Sequence, residues 1–241
     1  MFKIILFLFI NLFCFNIKCF AIFSEHQAGI IDNIINKNNN NNKIVYLTFD
    51  ACGGKHGMEA DLKLINFLKK EKINSTIFVT SKFLYNQKNA ELIKELSLLP
   101  YIKIQNHGKN HRPASINGKK IYNIRGTKDI NELIEEIKNA DNLILKITNK
   151  KPNWYRSGTA YYDTEVIKII NNLNYNIAGF AITLDAGSTL SKKEIVKNML
   201  LAKNGDILLA HINHPESDTS KGIIKGIKLL KKQGFKFELL P

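Results

Sequence analysis

Hydrophobic residues follow two different periods along this chain. From Lys43 onward, short apolar runs alternate with longer segments whose apolar residues recur every three to four positions. Seven strands are predicted, over residues 44–49, 75–79, 101–104, 153–155, 176–182, 207–210 and 235–239. Regular alternation of strands and helices implies an α/β protein with parallel strands, in a sheet that is open or closed into a barrel.

The helices between these strands carry start signals. The clearest helix opens near Thr127 or Asp129 and keeps an apolar stripe at helical spacing. Asp163 is placed to cap a second helix, and Ser191 with Glu194 is a capping box for a third. The last helix carries five lysines, which most simply form a solvated face.

Five polar residues stand at or after the C-terminal ends of predicted strands. The first strand ends at Asp50, the third runs into His107, and the fourth delivers Arg156. Asp185 follows the fifth strand and His211 ends the sixth. Functional side chains of parallel α/β proteins gather at this end of the strands. We therefore expect the five residues to meet at one end of a single domain.

The N-terminal segment is typical of a secretory signal. Residues 1–21 contain an early lysine, the apolar run 4–17 and small residues where a signal peptidase reads. The run is short of the roughly 20 residues that a membrane-spanning helix needs, although an uncleaved anchor stays an alternative. Residues 22–42 end in the asparagine run 38–42 and are predicted to be a linker, followed by a domain over 43–241. We expect an exported protein of the periplasm or cell envelope.

Cysteine usage limits the covalent chemistry of the mature chain. Cys14 and Cys19 would leave with the signal, so Cys52 remains alone and no intrachain disulfide can form. At Cys52 we predict a buried small residue rather than a metal ligand or a nucleophile.

The chain is strongly basic, with a formal net charge of +14. Such a charge favours anionic partners, for example a cell-wall polymer or a membrane surface. The sequence has no arginine-rich patch with interleaved aromatic residues, which argues against nucleic-acid binding.

Two histidines, His107 and His111, stand four residues apart after the third predicted strand. Residues at this spacing share one face over a helical turn, so both rings can converge on one ion. An ion held by two histidines still needs an oxygen ligand or a water, as in sites of metal-assisted hydrolysis. The pair alone also fits two ordinary surface residues.

Over about 43–240, the chain resembles the polysaccharide deacetylases of the NodB-homology type, grouped with carbohydrate esterase family 4. Leu-Thr-Phe-Asp at 47–50 resembles the first family motif, and His107 to Pro113 resembles the second. The resemblance implies that Asp50 is the general base and that His107 and His111 bind a divalent metal. It also implies a distorted (β/α) barrel of about seven parallel strands.

The later motifs of the family also have counterparts. Arg156 stands where the family's arginine contacts the base, and Asp185 and His211 match the fourth and fifth motifs. The resemblance implies that His211 is the general acid and that Asp185 tunes it, raising its pKa. Three residues are candidates for substrate binding, of which Thr159 could offer its backbone amide to the oxyanion; they are Thr159, Tyr161 and Asn213.

The chain departs from the family pattern in three places. Ala51 replaces the second aspartate, which is a metal ligand in the family, residues 157–159 lack the usual proline and tyrosine, and the fourth motif lacks an aspartate and a tryptophan. The string Asp-Ala-Cys-Gly-Gly indicates a variant subgroup. Either water fills the missing coordination position and Asp50 stays the base, or Asp50 moves onto the metal. We favour the first arrangement because Arg156 would hold Asp50 away from the ion.

Three functions remain open. The first is an exported, metal-dependent deacetylase that removes N-acetyl groups from a cell-envelope glycan, with peptidoglycan as the favoured substrate. Zinc is the favoured metal, with cobalt, nickel or manganese as alternatives. The second is a glycan-binding protein on the same fold that has lost hydrolysis, and the third is a metal hydrolase for a small amide.

Overall fold

The computed structural model describes residues 27–35, 43–55 and 57–241. The predicted signal 1–21 and the asparagine run 38–42 lie outside the described residues. No helix in the described part of the chain is both long enough and apolar enough to span a membrane.

The described residues form ten strands, most of them short. They are β1 Ile44–Ala51, β2 Ser75–Val79, β3 Ile102–Asn106, β4 Lys120–Ile121, β5 Ile124–Arg125, β6 Trp154–Tyr155, β7 Asn176–Ile177, β8 Ile182–Thr183, β9 Ile207–His211 and β10 Lys236–Phe237. Seven of them lie parallel in the order β7-β6-β3-β2-β1-β9-β8, and β10 pairs in parallel with the start of β1. The sheet curls into a half-barrel, which confirms the distorted (β/α) barrel in a single domain.

Seven helices of the described chain pack around this sheet. They are α1 Leu62–Lys70, α2 Ser81–Leu84, α3 Gln87–Ser97, α4 Ile130–Thr148, α5 Thr164–Asn172, α6 Lys192–Met199 and α7 Thr219–Lys232, with a 3₁₀ turn at Gly158–Ala160. Asp129 caps α4 by accepting a hydrogen bond from the Glu132 amide, and Ser191 forms the predicted capping box with Glu194. The apolar faces of these helices complete the core on the sheet.

The predicted cap at Asp163 is wrong in its chemistry. Asp163 does occupy the position before α5, but its side chain makes no capping hydrogen bond. Its carboxylate instead accepts hydrogen bonds from the Ser115 hydroxyl at 2.7 Å and the Tyr161 hydroxyl at 2.9 Å. One neighbouring hydroxyl and one hydroxyl from a distant loop thus take the place of the helix amides.

Two further elements differ from the prediction. The strand expected over 176–182 is two strands, β7 and β8, because the chain between them leaves the sheet at Gly179, whose amide donates to Ile31. The hairpin β4–β5 was not expected. Its two turn residues, Tyr122 and Asn123, both have positive φ, as in a type I′ turn, but they lack the glycine that usually signals one.

The described part of the predicted linker, 27–35, packs on the domain between β7 and β9. The amide of Ile31 donates to Ile177, and the amide of Ile207 donates to Asp32. Ile34 donates to Gly205 in the same way. The linker interpretation of 22–42 is therefore wrong over 27–35, because this stretch finds backbone partners on both sides of the gap in the half-barrel.

Candidate active site

The end of β1 brings two side chains to the rim of the sheet. Asp50 is almost fully buried there, and it stands opposite His211 in the parallel pairing of β1 with β9. Ala51 is 0% exposed and belongs to the main hydrophobic cluster. Because side chains alternate along a strand, Cys52 follows on the side of Asp50.

Arg156 fixes one oxygen of Asp50. The guanidinium is 0% exposed, and its Nη1 donates to Asp50 Oδ1 and to Thr48 Oγ1, each at 3.0 Å. Its Nη2 donates to the Gly179 carbonyl at 2.7 Å, and the group lies 4.4 Å from the centre of the Phe78 ring. A buried charge with this many partners holds a single geometry, so Asp50 is both paired and oriented.

His107 and His111 lie on a loop and not on a helix, so the expected helical face is wrong. Gly108 and His111 both have positive φ, at 82° and 60°, which turns the chain back on itself. The two rings nevertheless converge, with centroids 4.9 Å apart in an edge-to-face arrangement. Backbone conformation, rather than helical periodicity, produces the convergence.

Glu136 of α4 holds this loop. Its only signal in the sequence is an acidic residue within the apolar stripe of that helix. Its Oε1 accepts hydrogen bonds from the amides of Asn110 at 2.6 Å and Arg112 at 3.2 Å. The backbone carbonyl of Glu136 accepts from the Lys109 amide. Burial raises the pKa of Glu136, against the opposing effect of the two amides. The loop therefore depends on an acceptor that lies more than twenty residues away in the chain.

The buried ring of His107 has one nitrogen in a hydrogen bond with the backbone, and its other nitrogen faces Asp50 and Cys52. Its Nδ1 lies 2.8 Å from the Arg156 carbonyl, which can only accept, so Nδ1 carries the proton. Its Nε2 lies 3.4 Å from Asp50 Oδ2 and 3.7 Å from Cys52 Sγ. A histidine whose outer nitrogen is held by a carbonyl is the usual form of a metal-binding histidine.

Cys52 stands beside the two histidines at the rim of the sheet, not enclosed in the core where a packing residue is predicted. The residue is half-buried, and its sulfur clusters with one ring nitrogen of His107 and one of His111, all within 4.8 Å of one another. Burial alone would raise the pKa of the Cys52 thiol, but His111, His107 and His211 together lower it well below its ordinary value. Its position two residues after Asp50, just past the end of β1, was the available signal.

His211 and Asp185 form a second hydrogen-bonded pair. His211 Nδ1 lies 2.9 Å from Asp185 Oδ1, while Asp185 Oδ2 accepts from the His211 amide at 2.8 Å and from Thr219 Oγ1 at 3.1 Å. Burial opposes charge on the ring, but the Asp185 carboxylate raises the pKa of His211 well above its ordinary value. Burial would likewise raise the pKa of Asp185, yet His211 and these donors lower it. The imidazole is thus oriented and favoured in its protonated form.

The three candidate substrate-binding residues have different surroundings. Thr159 has a positive φ of 68° in the 3₁₀ turn, and its hydroxyl is buried without a hydrogen-bond partner. The Tyr161 hydroxyl is engaged by Asp163 and by Lys119. Asn213 is 1% exposed and donates to the Gly57 carbonyl at 2.9 Å, so it holds the loop at the rim of the site.

The donor set fits a divalent metal. Two imidazoles and a thiol, all with a ligand atom turned to the same point, are ligands that zinc prefers. Three protein ligands leave a fourth position open, which is the composition of catalytic rather than structural zinc sites.

Comparisons with known proteins identify relatives of the chain. The family model described as polysaccharide deacetylase matches residues 37–178. The chain is 28% identical over 205 residues to the peptidoglycan-N-acetylmuramic acid deacetylase PdaA of Bacillus subtilis (strain 168), over 83% of this chain and 71% of that protein. The solved structure of Bacillus subtilis PdaA, a family 4 carbohydrate esterase, superposes with a TM-score of 0.68 at 26% identity, over 87% of this chain and 82% of that one.

A second solved structure shares the fold alone. It is a wild-type CE4 family pseudoenzyme from Bacillus anthracis, with a TM-score of 0.68 at 20% identity, and the match covers 83% of this chain and 64% of that one. Since the match to the family model spans more than half of the chain, the protein belongs to the polysaccharide deacetylase family.

Proposed function

We propose that this protein is an exported, metal-dependent N-deacetylase that acts on a cell-envelope glycan, with peptidoglycan as its substrate. The observation that carries the proposal is the pairing of Asp50 with His211 across neighbouring strands, each held by its own partner, Arg156 or Asp185. A base and an acid that flank one point are what amide hydrolysis requires.

Asp50 acts as the general base in this proposal. Arg156 occupies its Oδ1 at 3.0 Å, so Oδ2 is the oxygen that takes the proton of the attacking water. The guanidinium also keeps the carboxylate oriented through the reaction, because its other donors are anchored on Thr48 and Gly179.

His211 acts as the general acid. Its Nδ1 is held by Asp185, so the opposite ring nitrogen delivers the proton to the departing sugar amine. Asp185 is a positioning residue, since it acts only through the ring. The backbone amide of Thr159 is the proposed donor to the oxyanion. Tyr161, which is partly exposed, is a proposed contact of the glycan, whereas the buried Asn213 acts through the loop that it holds at Gly57.

His107 and His111 are the proposed metal ligands, with zinc as the favoured ion and cobalt, nickel or manganese as alternatives. The bound ion supplies positive charge that polarises the water and the acetyl oxygen. The loop held by Glu136 sets the position of both rings.

Substrate and location are supported by the curated relative and by the sequence. The relative's name describes a peptidoglycan deacetylase. Residues 1–21 suit export with cleavage before Ile22. The formal net charge of +14 becomes +12 when Lys3 and Lys18 leave with them, and this charge suits an anionic wall polymer. Mass spectrometry that finds an intact Met1 in the envelope fraction would support a membrane anchor instead.

Released acetate is the test of the proposed activity. Purified protein that begins at Ile22 is incubated with acetylated peptidoglycan fragments and with chitin oligomers, with and without a chelator. We expect acetate from the peptidoglycan fragments, none after chelation, and recovery when zinc is restored. Acetate release that persists after chelation, from protein in which metal analysis finds no ion, would overturn the metal dependence. No acetate release from either glycan would overturn the activity.

A glycan-binding protein without hydrolysis is the second candidate. Ala51 in place of the family's acidic ligand favours it, and the fold is shared with a CE4 family pseudoenzyme. Calorimetry with the same fragments distinguishes the two, because a pure binding protein retains the glycan and releases no acetate.

A further inference from the structure

The backbone after β1 aims Cys52 at the site. Ala51 points into the core, so no side chain at that position reaches the rim. The Cys52 carbonyl accepts a hydrogen bond from Thr80 Oγ1 at 2.7 Å, which anchors the residue to the start of α2. Gly53 follows with a φ of 70°, and a Cβ there would lie 2.5 Å from the Phe83 backbone nitrogen. Cys52 is therefore held firmly as the last side chain before a turn that only glycine can make.

The distance between the Cys52 sulfur and the outer nitrogen of His107 matches the separation of two ligands on a shared ion. Zinc binds sulfur at about 2.3 Å and imidazole nitrogen at about 2.0–2.1 Å, so a tetrahedral site separates sulfur from nitrogen by about 3.6 Å. The observed distance from Cys52 Sγ to His107 Nε2 is 3.7 Å. All three ligand atoms lie within 4.8 Å of one another.

Asp50 is less suited to be the third ligand. Its Oδ1 accepts a hydrogen bond from Arg156. Its Oδ2 lies 3.4 Å from His107 Nε2, but Asp50 is not a member of the cluster whose ligand atoms all lie within 4.8 Å of one another. A carboxylate that coordinates the ion also loses the basicity that its proposed role needs.

We propose that the Cys52 thiolate is the third protein ligand of the metal, in place of the acidic ligand that the family has at position 51. The string Asp-Ala-Cys-Gly-Gly then marks a variant subgroup with one sulfur and two nitrogen ligands. Such a centre prefers zinc and cobalt to magnesium or manganese, because thiolate is a soft ligand. The inference deepens the proposed function, since it names the coordination of the same site.

Cobalt substitution tests the sulfur ligand without any activity measurement. The protein that begins at Ile22 is stripped of metal, titrated with Co²⁺, and followed by its near-ultraviolet thiolate-to-cobalt charge-transfer absorption. Cys52 is the only cysteine from residue 22 onward, so such a band can come from no other residue. We expect one equivalent of cobalt and a band that saturates with it.

Two variants sharpen the result. Cys52→Ser should lose the band and bind cobalt at least about tenfold more weakly, whereas Cys52→Asp should lose the band and keep most of the affinity, because a carboxylate can replace the thiolate. Thermal unfolding of each variant in chelator checks that the fold is intact. Stoichiometric cobalt without the band in the unaltered protein, or equal affinity in Cys52→Ser, would overturn the inference.

The failure of this inference and the failure of the proposed function are distinguishable. A charge-transfer band with no acetate release leaves Cys52 as a ligand and removes the activity. Chelator-sensitive acetate release from a protein that shows no band leaves the activity and removes Cys52 as a ligand.

Discussion

The site contains two groups of histidines, the His211–Asp185 pair and the cluster of His107, His111 and Cys52. They differ in how many of their polar atoms have a hydrogen-bond partner within the protein. His211 and Asp185 form a closed unit, in which the ring, the carboxylate and Thr219 hydrogen-bond to one another. His107 has one nitrogen held by a carbonyl, and its other nitrogen converges with ligand atoms of His111 and Cys52. The first pair favours the protonated ring, and the second cluster is the proposed metal site.

Removing a ligand from the second cluster should have the largest effect. We expect His111→Ala to lower metal affinity by at least about 100-fold. Loss of only the hydrogen-bond partner of a metal ligand already lowers metal affinity by about 10–100-fold. Its ring is partly exposed, so stability in chelator should change little, whereas His107 is fully buried and its removal also affects the fold. Zinc content after dialysis measures the effect. Equal zinc content in His111→Ala and the unaltered protein would show that His111 is not a metal ligand.

Asp50→Asn should separate the base from the metal. We expect turnover to fall by about 10²–10⁴-fold, the usual contribution of a general base, while one metal ion stays bound. The reason is that Arg156 holds Asp50 and the metal has three other candidate ligands. Metal stoichiometry is measured beside acetate release. Loss of metal together with turnover would show that Asp50 is a ligand, and full activity would exclude it as the base.

Asp185→Asn should change the pH profile rather than the metal content. The protonated ring is the active acid, so activity is lost as pH rises through the pKa of His211. Asp185 raises that pKa, so its neutralisation should move the alkaline limb to lower pH. The measurement is kcat/KM against pH with zinc content as the control. An unmoved alkaline limb would show that His211 is not the acid under the control of Asp185.

Substitution of Glu136 should have the smallest effect of the four, a loss of stability in the loop that carries the two histidines. Glu136→Ala removes the acceptor of two loop amides, and we expect a loss of about 1–3 kcal/mol in the free energy of unfolding. Glu136→Gln keeps an oxygen at the same place and serves as the matched control. We also expect weaker metal binding in the alanine variant alone, because the loop carries both histidines. Identical metal affinity in all three proteins would show that the loop keeps its shape without this acceptor.

Sequence periodicity was sufficient for most of the architecture. The strands β1, β2, β3 and β9 lie close to where their apolar runs predict them, because buried parallel strands need continuous apolar residues. The caps at Asp129 and Ser191 were predictable, since their partners lie three residues away. Asp50, Arg156, Asp185 and His211 could be brought to one rim because a parallel sheet aligns its strand ends.

Tertiary contacts decided the remaining features. The convergence of His107 and His111 depends on positive φ angles and on Glu136, and neither follows from the spacing of two histidines. Residues 27–35 join the domain through partners on β7 and β9 that are distant in the chain. Cys52 shares its point of convergence with both rings only when the loop after β3 lies against the end of β1. Its residue type and its place just after a strand are local properties of the sequence, but a coordination site combines residues from distant segments, which only the folded chain brings together.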